Sequence, residues 1–362
     1  MNKQLNFDAP LNSLSLGNVS FNFMRELHRK GVDVNLFPVG DKAELAAYDK
    51  KSDKLVEYIK KSGQSRYSNL NPNTPTLRVW HINGSERWIG KEQYLYTFYE
   101  LDSPTEAEIN IVKAQKHVFF SSSDACDSFK SAGCDNVSHV PLGFDPDFCK
   151  TDKEYMGDVT HFGLVGKFER RKNTSLIIQS WLKRFGNNPK YQLTCLVNNP
   201  FFAKETMDEM LQYSLMNQSW SNINFLPHLT TNSEVNELTN SIDIDLSGLS
   251  NGEGWNLPAF NATALGKWSI VSNCSSHKDW AKKDNCILVE PEHKQPCYDN
   301  IFFHEGLLFN QGSYYKICEE KIFSAFETAV VMAKQPNKEG EKLKSEFTYE
   351  KSIDKILSVI FQ

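Results

Sequence analysis

The segment Ser247–Asn273, SGLSNGEGWNLPAFNATALGKWSIVSN, gathers residue types that could do chemistry. Gly248, Gly252 and Gly254 surround one acid, Glu253, and Leu257–Pro258 then reads as a helix start that ends at Gly266. Proline suits the first helical position and glycine the position just past the last. A flexible loop feeding a helix start offers unpaired backbone N–H groups and the positive end of the helix dipole, a seat for an anion such as phosphate. Ala259, Ala262 and Ala264 keep that helix thin, and a strand, Ser269–Ser272, follows it. By spacing alone the run also describes an ordinary loop–helix–strand unit. Two more carboxylates, Glu100 and Asp102, follow the β-rich run Tyr94–Tyr99. Acids just beyond the end of a parallel strand face the crevice where α/β proteins bind ligands, so both are candidates for ligand binding. Capping of the helix after Ser103–Pro104 is the plainer role for them.

Strands and helices must alternate to position these groups. Leu14–Lys30 has Gly17 and Asn18 in a short polar loop, followed by Val19, Phe23 and Leu27 at helical spacing. VDVNLFPV reads as a strand, Asp41–Ser62 as a charged helical stretch, and LRVWHI as a strand ending near His81. No strand is assigned ahead of Leu14. Composition turns polar at Thr151–Asp158, which reads as a linker, and the pattern then restarts. THFGLV, YQLTCLVN, INFLPHL, IDIDLSG and CILVEP alternate with helical stretches such as Glu205–Met216 and Ser233–Asn240. That rhythm belongs to parallel, doubly wound sheets. Pro291–Tyr315, long and partly aromatic, fits no element.

The chain's 362 residues suggest two domains. With 40% apolar and 23% charged residues the composition is globular. No apolar run is long enough to cross a bilayer and no signal segment is recognised, so a cytoplasmic location is expected. A net charge of −5, with both halves mildly acidic, argues against a strongly nucleic-acid-binding protein. The eight cysteines never form C-x-x-C, which favours reduced, packed thiols. Asp243 and Asp245 form a D-x-D, as do Asp145 and Asp147, but the first pair reads as the polar edge of a strand and neither is taken as a metal site. No metal is expected.

The segment EGWNLPAFNATALGKWSIVSN resembles the signature of retaining, nucleotide-sugar-dependent glycosyltransferases of the GT-B fold, family-4 type. That signature runs Glu-Gly-aromatic-Gly-Leu-Pro, places a second Glu eight positions after the first, and continues Ala-x-Gly-x-Pro-x-Ile/Val-x-Ser-Asn. Glu253 matches the first acid, and Asn261 stands where the second is expected. THFGLVGKFERRKNTSLIIQSWLKRF resembles the family's Gly-Arg-x-x-x-x-Lys turn and helix, with Lys167 and Lys172 at the two basic positions and Arg171 between. The run His117–Phe148 and the final FTYEKSIDKIL are also similar to family segments.

The resemblance implies two Rossmann-like domains, 1–155 on the acceptor side and 156–340 on the nucleotide-sugar side, with a last helix, 341–362, packing back on the first. It implies transfer of a sugar from a nucleoside diphosphate sugar, used as co-substrate with no separate cofactor. Lys167 and Lys172, with Arg171 as a third cation, would hold the diphosphate, neutralising charge as it grows on the leaving group. Glu253 would hydrogen-bond the donor sugar. Gly254, Trp255, Asn256 and Leu257 would line the donor, and Asn261 would meet the ribose as a neutral partner. Gly17, Asn18 and His81 join Glu100 and Asp102 on the acceptor side. The acceptor is a saccharide or another small or lipid-linked hydroxyl. Alternatives are a hydroxylated base in DNA, as for some phage enzymes, or a non-catalytic nucleotide- or sugar-binding homologue. Nucleotide, sugar, acceptor and oligomeric state are not fixed by these residues.

Overall fold

The computed structural model describes residues 3–362. The first half runs β1 (Gln4–Leu11), α1 (Ser15–Arg29), β2 (Asp33–Ala43), α2 (Asp53–Ser68), β3 (Thr76–Val79), β4 (Gln93–Thr97), α3 (Glu106–Ala114), β5 (His117–Phe120), α4 (Ser123–Ser131) and β6 (Val137–His139). Its six strands form one parallel sheet in the order β2-β1-β3-β4-β5-β6. The second half runs β7 (Thr160–Val165), α5 (Thr174–Phe185), β8 (Tyr191–Leu196), α6 (Lys204–Ser214), β9 (Ile223–Phe225) and α7 (Asn232–Ser241). It continues through β10 (Ile244–Asp245), α8 (Leu257–Ala264), β11 (Trp268–Ser272), α9 (His277–Trp280) and β12 (Cys286–Val289). Its sheet is also parallel, in the order β12-β11-β10-β7-β8-β9. An antiparallel hairpin of β13 (His293–Pro296) and β14 (Ser313–Lys316) follows, then α10 (Glu319–Met332), α11 (Lys338–Glu346) and α12 (Tyr349–Ile360).

Both sheets are doubly wound, as the alternating pattern requires. In each, the chain starts in the interior and builds outward both ways, leaving a crevice at the carboxyl ends of the strands where the direction reverses. α11 packs on α8, and the chain then crosses at Phe347–Thr348 so that α12 lies against α1. The Ser352 hydroxyl donates to Pro141 O at 2.6 Å, and Gly143 leaves no room for a Cβ against Tyr349 N. One apolar cluster runs through both halves, joining Phe7, Phe23 and Tyr96 to Trp255, Phe260 and Trp280 and to Ile353 and Ile356 of α12. Among the described residues no helix is long and apolar enough to cross a membrane.

Three sequence expectations need correction. Asp41–Ser62 is not one helix: β2 runs on to Ala43, and α2 begins only at Asp53, where the Ser52 hydroxyl caps Leu55 N at 3.3 Å. β1, unassigned from sequence, pairs with both β2 and β3. Its polar Asn6 and Asp8 hide the strand pattern, yet both are buried because Asn35 donates to Asn6 at 3.0 Å and Arg78 pairs with Asp8. Pro291–Tyr315, which fitted no element, carries the hairpin, and its long connection forms a strap across both halves. The strap meets the first half where Lys294 and Ser313 N bind Asp102, each at 2.7 Å, and where Asn310 N donates to Glu108 at 2.8 Å.

Candidate functional site

Two loops at the carboxyl ends of the second sheet build the site: the basic turn after β7 and the glycine loop after β10. Asn173, in the left-handed region at φ 56°, ends the basic turn and starts α5. Its amide donates to Leu249 O at 2.8 Å and to the Asn251 side chain at 2.7 Å, stitching the two loops together. Asn256, also left-handed at φ 69°, caps α8 by accepting from Ala259 N. The Asn256 amide donates to Ser247 O at 2.8 Å and lies 3.0 Å from His277 Nε2. Asparagine suits both places because its short polar side chain tolerates that backbone and supplies the bonds.

These contacts bring together the residues that the sequence pattern singled out. Lys172 Nζ lies 2.6 Å from Glu253 Oε1, and Arg171 Nη1 lies 3.3 Å from the other oxygen. Arg171 is 4% exposed and also binds Glu169 at 3.0 Å, Glu100 at 3.2 Å and Gly252 O. Lys167 reaches Glu169 at 3.1 Å and sits over the rings of Phe201 and Phe302. Burial pushes the Glu253 carboxyl upward, but Lys172 and Arg171 outweigh it and bring its pKa down to about 2. Burial of His277 lowers its pKa to about 4, leaving it neutral beside Asn256. The site is an alternating ladder of three cations and three acids, Glu100 being the rung supplied by the first half.

The glycines are explained by close approach. A Cβ on Gly252 would lie 2.8 Å from Glu100 O, and one on Gly254 would lie 2.8 Å from the Phe98 Cβ. The Ser121 hydroxyl donates to Gly254 O at 2.7 Å. Asp279, from the second half, accepts from Ser123 N at 3.0 Å at the start of α4. The glycine loop is thus clasped against the first half, with Glu253, Asn256 and Asn261 all buried. Lys172, 18% exposed, is the part of the Lys172–Glu253 pair that reaches solvent.

The remaining candidates lie in varied surroundings. Arg171 pairs with Glu169, Glu253 and Glu100, contacts that order the two loops, while its Nε is buried without a partner. Trp255 is core: its indole packs on Phe260 and Phe347, and its carbonyl accepts from Trp280 Nε1 at 3.2 Å. Leu257 packs on the same cluster. Asp102 holds the strap through Lys294 and Ser313 N. Gly17 is helical and pressed against Asn12, while Asn18 accepts from Asn232 of α7 at 3.1 Å, a contact between the halves. His81 remains at the crevice, solvent-accessible yet crowded enough that burial lowers its pKa, with Glu100 opposing and Lys167 adding to the effect. Asn261 lies on α8 with its Oδ1 buried and without a hydrogen-bond partner. In the D-x-D, Asp245 is buried in β10 and Asp243 pairs with Lys334 at 2.8 Å. Asp147 pairs with Arg25 at 2.7 Å, and Asp145 is buried beside it. Sequence reasoning missed Glu169; its position inside the basic turn was the available signal.

Neither a family profile nor a curated protein matches the chain by sequence. Its fold is similar to sucrose-phosphate synthase from Thermosynechococcus elongatus, with a TM-score of 0.68 and 11% identity over 99% of this chain and 98% of that one. It is similar to Anabaena HepE in complex with UDP and glucose, with a TM-score of 0.66 and 11% identity over all of both chains. It is also similar to a UDP-forming α,α-trehalose-phosphate synthase from Burkholderia vietnamiensis, with a TM-score of 0.65 and 10% identity over 100% of this chain and 99% of that one. At such identities the likeness is one of fold, and the fold is GT-B.

Proposed function

We propose that this GT-B chain is a retaining glycosyltransferase that moves a sugar from a nucleoside diphosphate sugar to an acceptor hydroxyl. The observation that carries the reading is the Lys172–Glu253 pair. A basic turn and a glycine loop, 81 residues apart in sequence, meet at 2.6 Å at the carboxyl ends of the second sheet. The fold neighbours include a protein in complex with UDP and glucose, which supports a nucleotide sugar as donor.

On this reading Lys172 and Lys167 exchange their carboxylate partners for the diphosphate and stabilise its charge as it leaves the anomeric carbon. Glu253, released from Lys172 and ionised, accepts hydrogen bonds from donor hydroxyls. Asn261 Oδ1, unpartnered in the free chain, accepts from the ribose. The acceptor hydroxyl attacks from the leaving-group face, and the departing phosphate takes its proton, so no protein nucleophile is required. The cations of the chain take the place of a metal. His81 and Glu100 face the acceptor.

The test is a thermal-shift screen of the purified protein against UDP, GDP, ADP, TDP and CDP, with magnesium and with a chelator. A ligand that binds only the folded state raises the melting temperature. One nucleotide standing out, equally in both conditions, is the expected result. No shift at millimolar nucleotide would move the reading to a non-catalytic homologue, and a shift only with magnesium would overturn the metal-independent part.

A further inference from the structure

A cavity of about 690 Å³ lies behind the donor loops, between α5, α6, the strap and the start of α10. Its size suits a small organic ligand. It is distinct from the donor point, which faces α8: Asn173, Asn251 and Glu169 form the wall between the two. Rings line it, with Phe168, Phe202 and Phe302 accompanied by Tyr213. Asp299 shapes the strap here by accepting from the N–H groups of Ile301, Phe302 and Phe303, each at 2.9 Å, which fixes the loop carrying the Phe302 ring. Amides and hydroxyls are interspersed with the rings, among them Gln179, which donates to Tyr213 O at 3.2 Å, and Gln295, Thr174 and Ser175.

The charges decide the ligand class. Of the four lining carboxylates, Glu169 is paired with Lys167 and Arg171, and Glu319 with Lys183. That leaves Asp299 and Glu320 against the two lining cations, Arg170 and Lys316, with no excess positive charge. That balance disfavours an anion. Flat apolar faces beside neutral amides, hydroxyls and carboxylates match a ligand with one apolar face and a rim of hydroxyls. From this geometry we infer that the cavity is a second binding site for a neutral saccharide, separate from the donor and acceptor positions. Binding there is felt at the donor site. Phe302 lies under the Lys167 ammonium at 5.9 Å, and Asn251 O accepts from Tyr315 N of β14 at 3.2 Å.

The experiment titrates the full chain with glucose, maltose, maltotriose and cellobiose, with glucose 6-phosphate as the anionic counterpart, by calorimetry. Two variants accompany it. Met210→Trp fills the cavity from α6, and Gln179→Ala removes one amide without adding bulk. The expected result is binding of at least one neutral saccharide, weakened about tenfold or more by Met210→Trp and measurably by Gln179→Ala. Circular dichroism checks that both variants are folded. Tighter binding of glucose 6-phosphate, absence of binding by every neutral sugar, or binding unchanged in both folded variants would each overturn the inference. A nucleotide titration of the same variants reads the donor site separately, so failure of one reading is distinguishable from failure of the other.

Discussion

Glu253 is ionised only because Lys172 and Arg171 hold it so, and that dependence has a pH signature. Its pKa falls from the ordinary 4.5 to about 2 in the folded chain. The stability it contributes is therefore fully present above about pH 4.5 and is lost as pH falls from there toward 2. His277 adds a second acid-side loss: neutral when folded down to about pH 4, it protonates from about pH 6.5 downward when unfolded. Lys172→Met removes the nearest counter-charge and lets burial lift the Glu253 pKa. Acid unfolding followed by tryptophan fluorescence should then begin at higher pH than in the wild type, and an unchanged midpoint would contradict the pairing. Asn261 offers a test with opposed signs. Its Oδ1 is a buried acceptor with no partner, which costs about 1–3 kcal/mol. Asn261→Leu should raise the melting temperature of the free protein and weaken nucleotide binding. Weaker stability or unchanged affinity would remove the ribose role. The motif made Glu253, Lys172 and Asn261 legible in sequence. The partners of Arg171 were not, because a charge reads the same whether it faces a phosphate or three acids.

At the level of elements, the parallel strands and the helix at Leu257 were readable from periodicity, proline and glycine. Those signals are local, and local geometry produces them. β1 escaped because Asn6 and Asp8 sit in a buried strand, a placement that becomes affordable only once Asn35 and Arg78 arrive from elsewhere in the sheet. The strap escaped for a related reason. Its order comes from contacts with α3 and the residues just before it, not from a repeat of its own. Thr105 donates to Leu308 O at 2.6 Å, and Glu108 and Asp102 hold the other backbone groups. Asp102→Asn should therefore loosen residues 297–312 while leaving both sheets intact. Hydrogen exchange would show faster exchange confined to that segment, and unchanged rates there would mean that the apolar contacts alone hold it.

Across the whole molecule, the halves meet through polar contacts around the glycine loop. Glu100–Arg171, Ser121–Gly254 and Ser123–Asp279 clasp one side, while Asn18–Asn232 joins them at α7. Glu100 is partly exposed, and its loss should cost under about 1 kcal/mol of stability. Glu100→Gln should still shift the population toward open forms, read as a larger radius of gyration by small-angle X-ray scattering. An unchanged radius would place the clasp elsewhere. Two domains with parallel sheets were legible from length and rhythm, and the GT-B form from the resemblance of the motifs, but this closed arrangement was not, because it depends on which side chains meet across the cleft.

On the proposed reading, the Lys172–Glu253 corner holds the diphosphate and sugar of a donor. It is tested most directly by incubating wild type and Lys172→Ala with UDP-, GDP- and ADP-glucose and following release of the nucleoside diphosphate in the presence of a chelator. Release from one donor by the wild type is expected, slowed by about 100-fold or more in the folded variant, as for loss of a group that stabilises developing charge. Release at equal rates by the two proteins would contradict it.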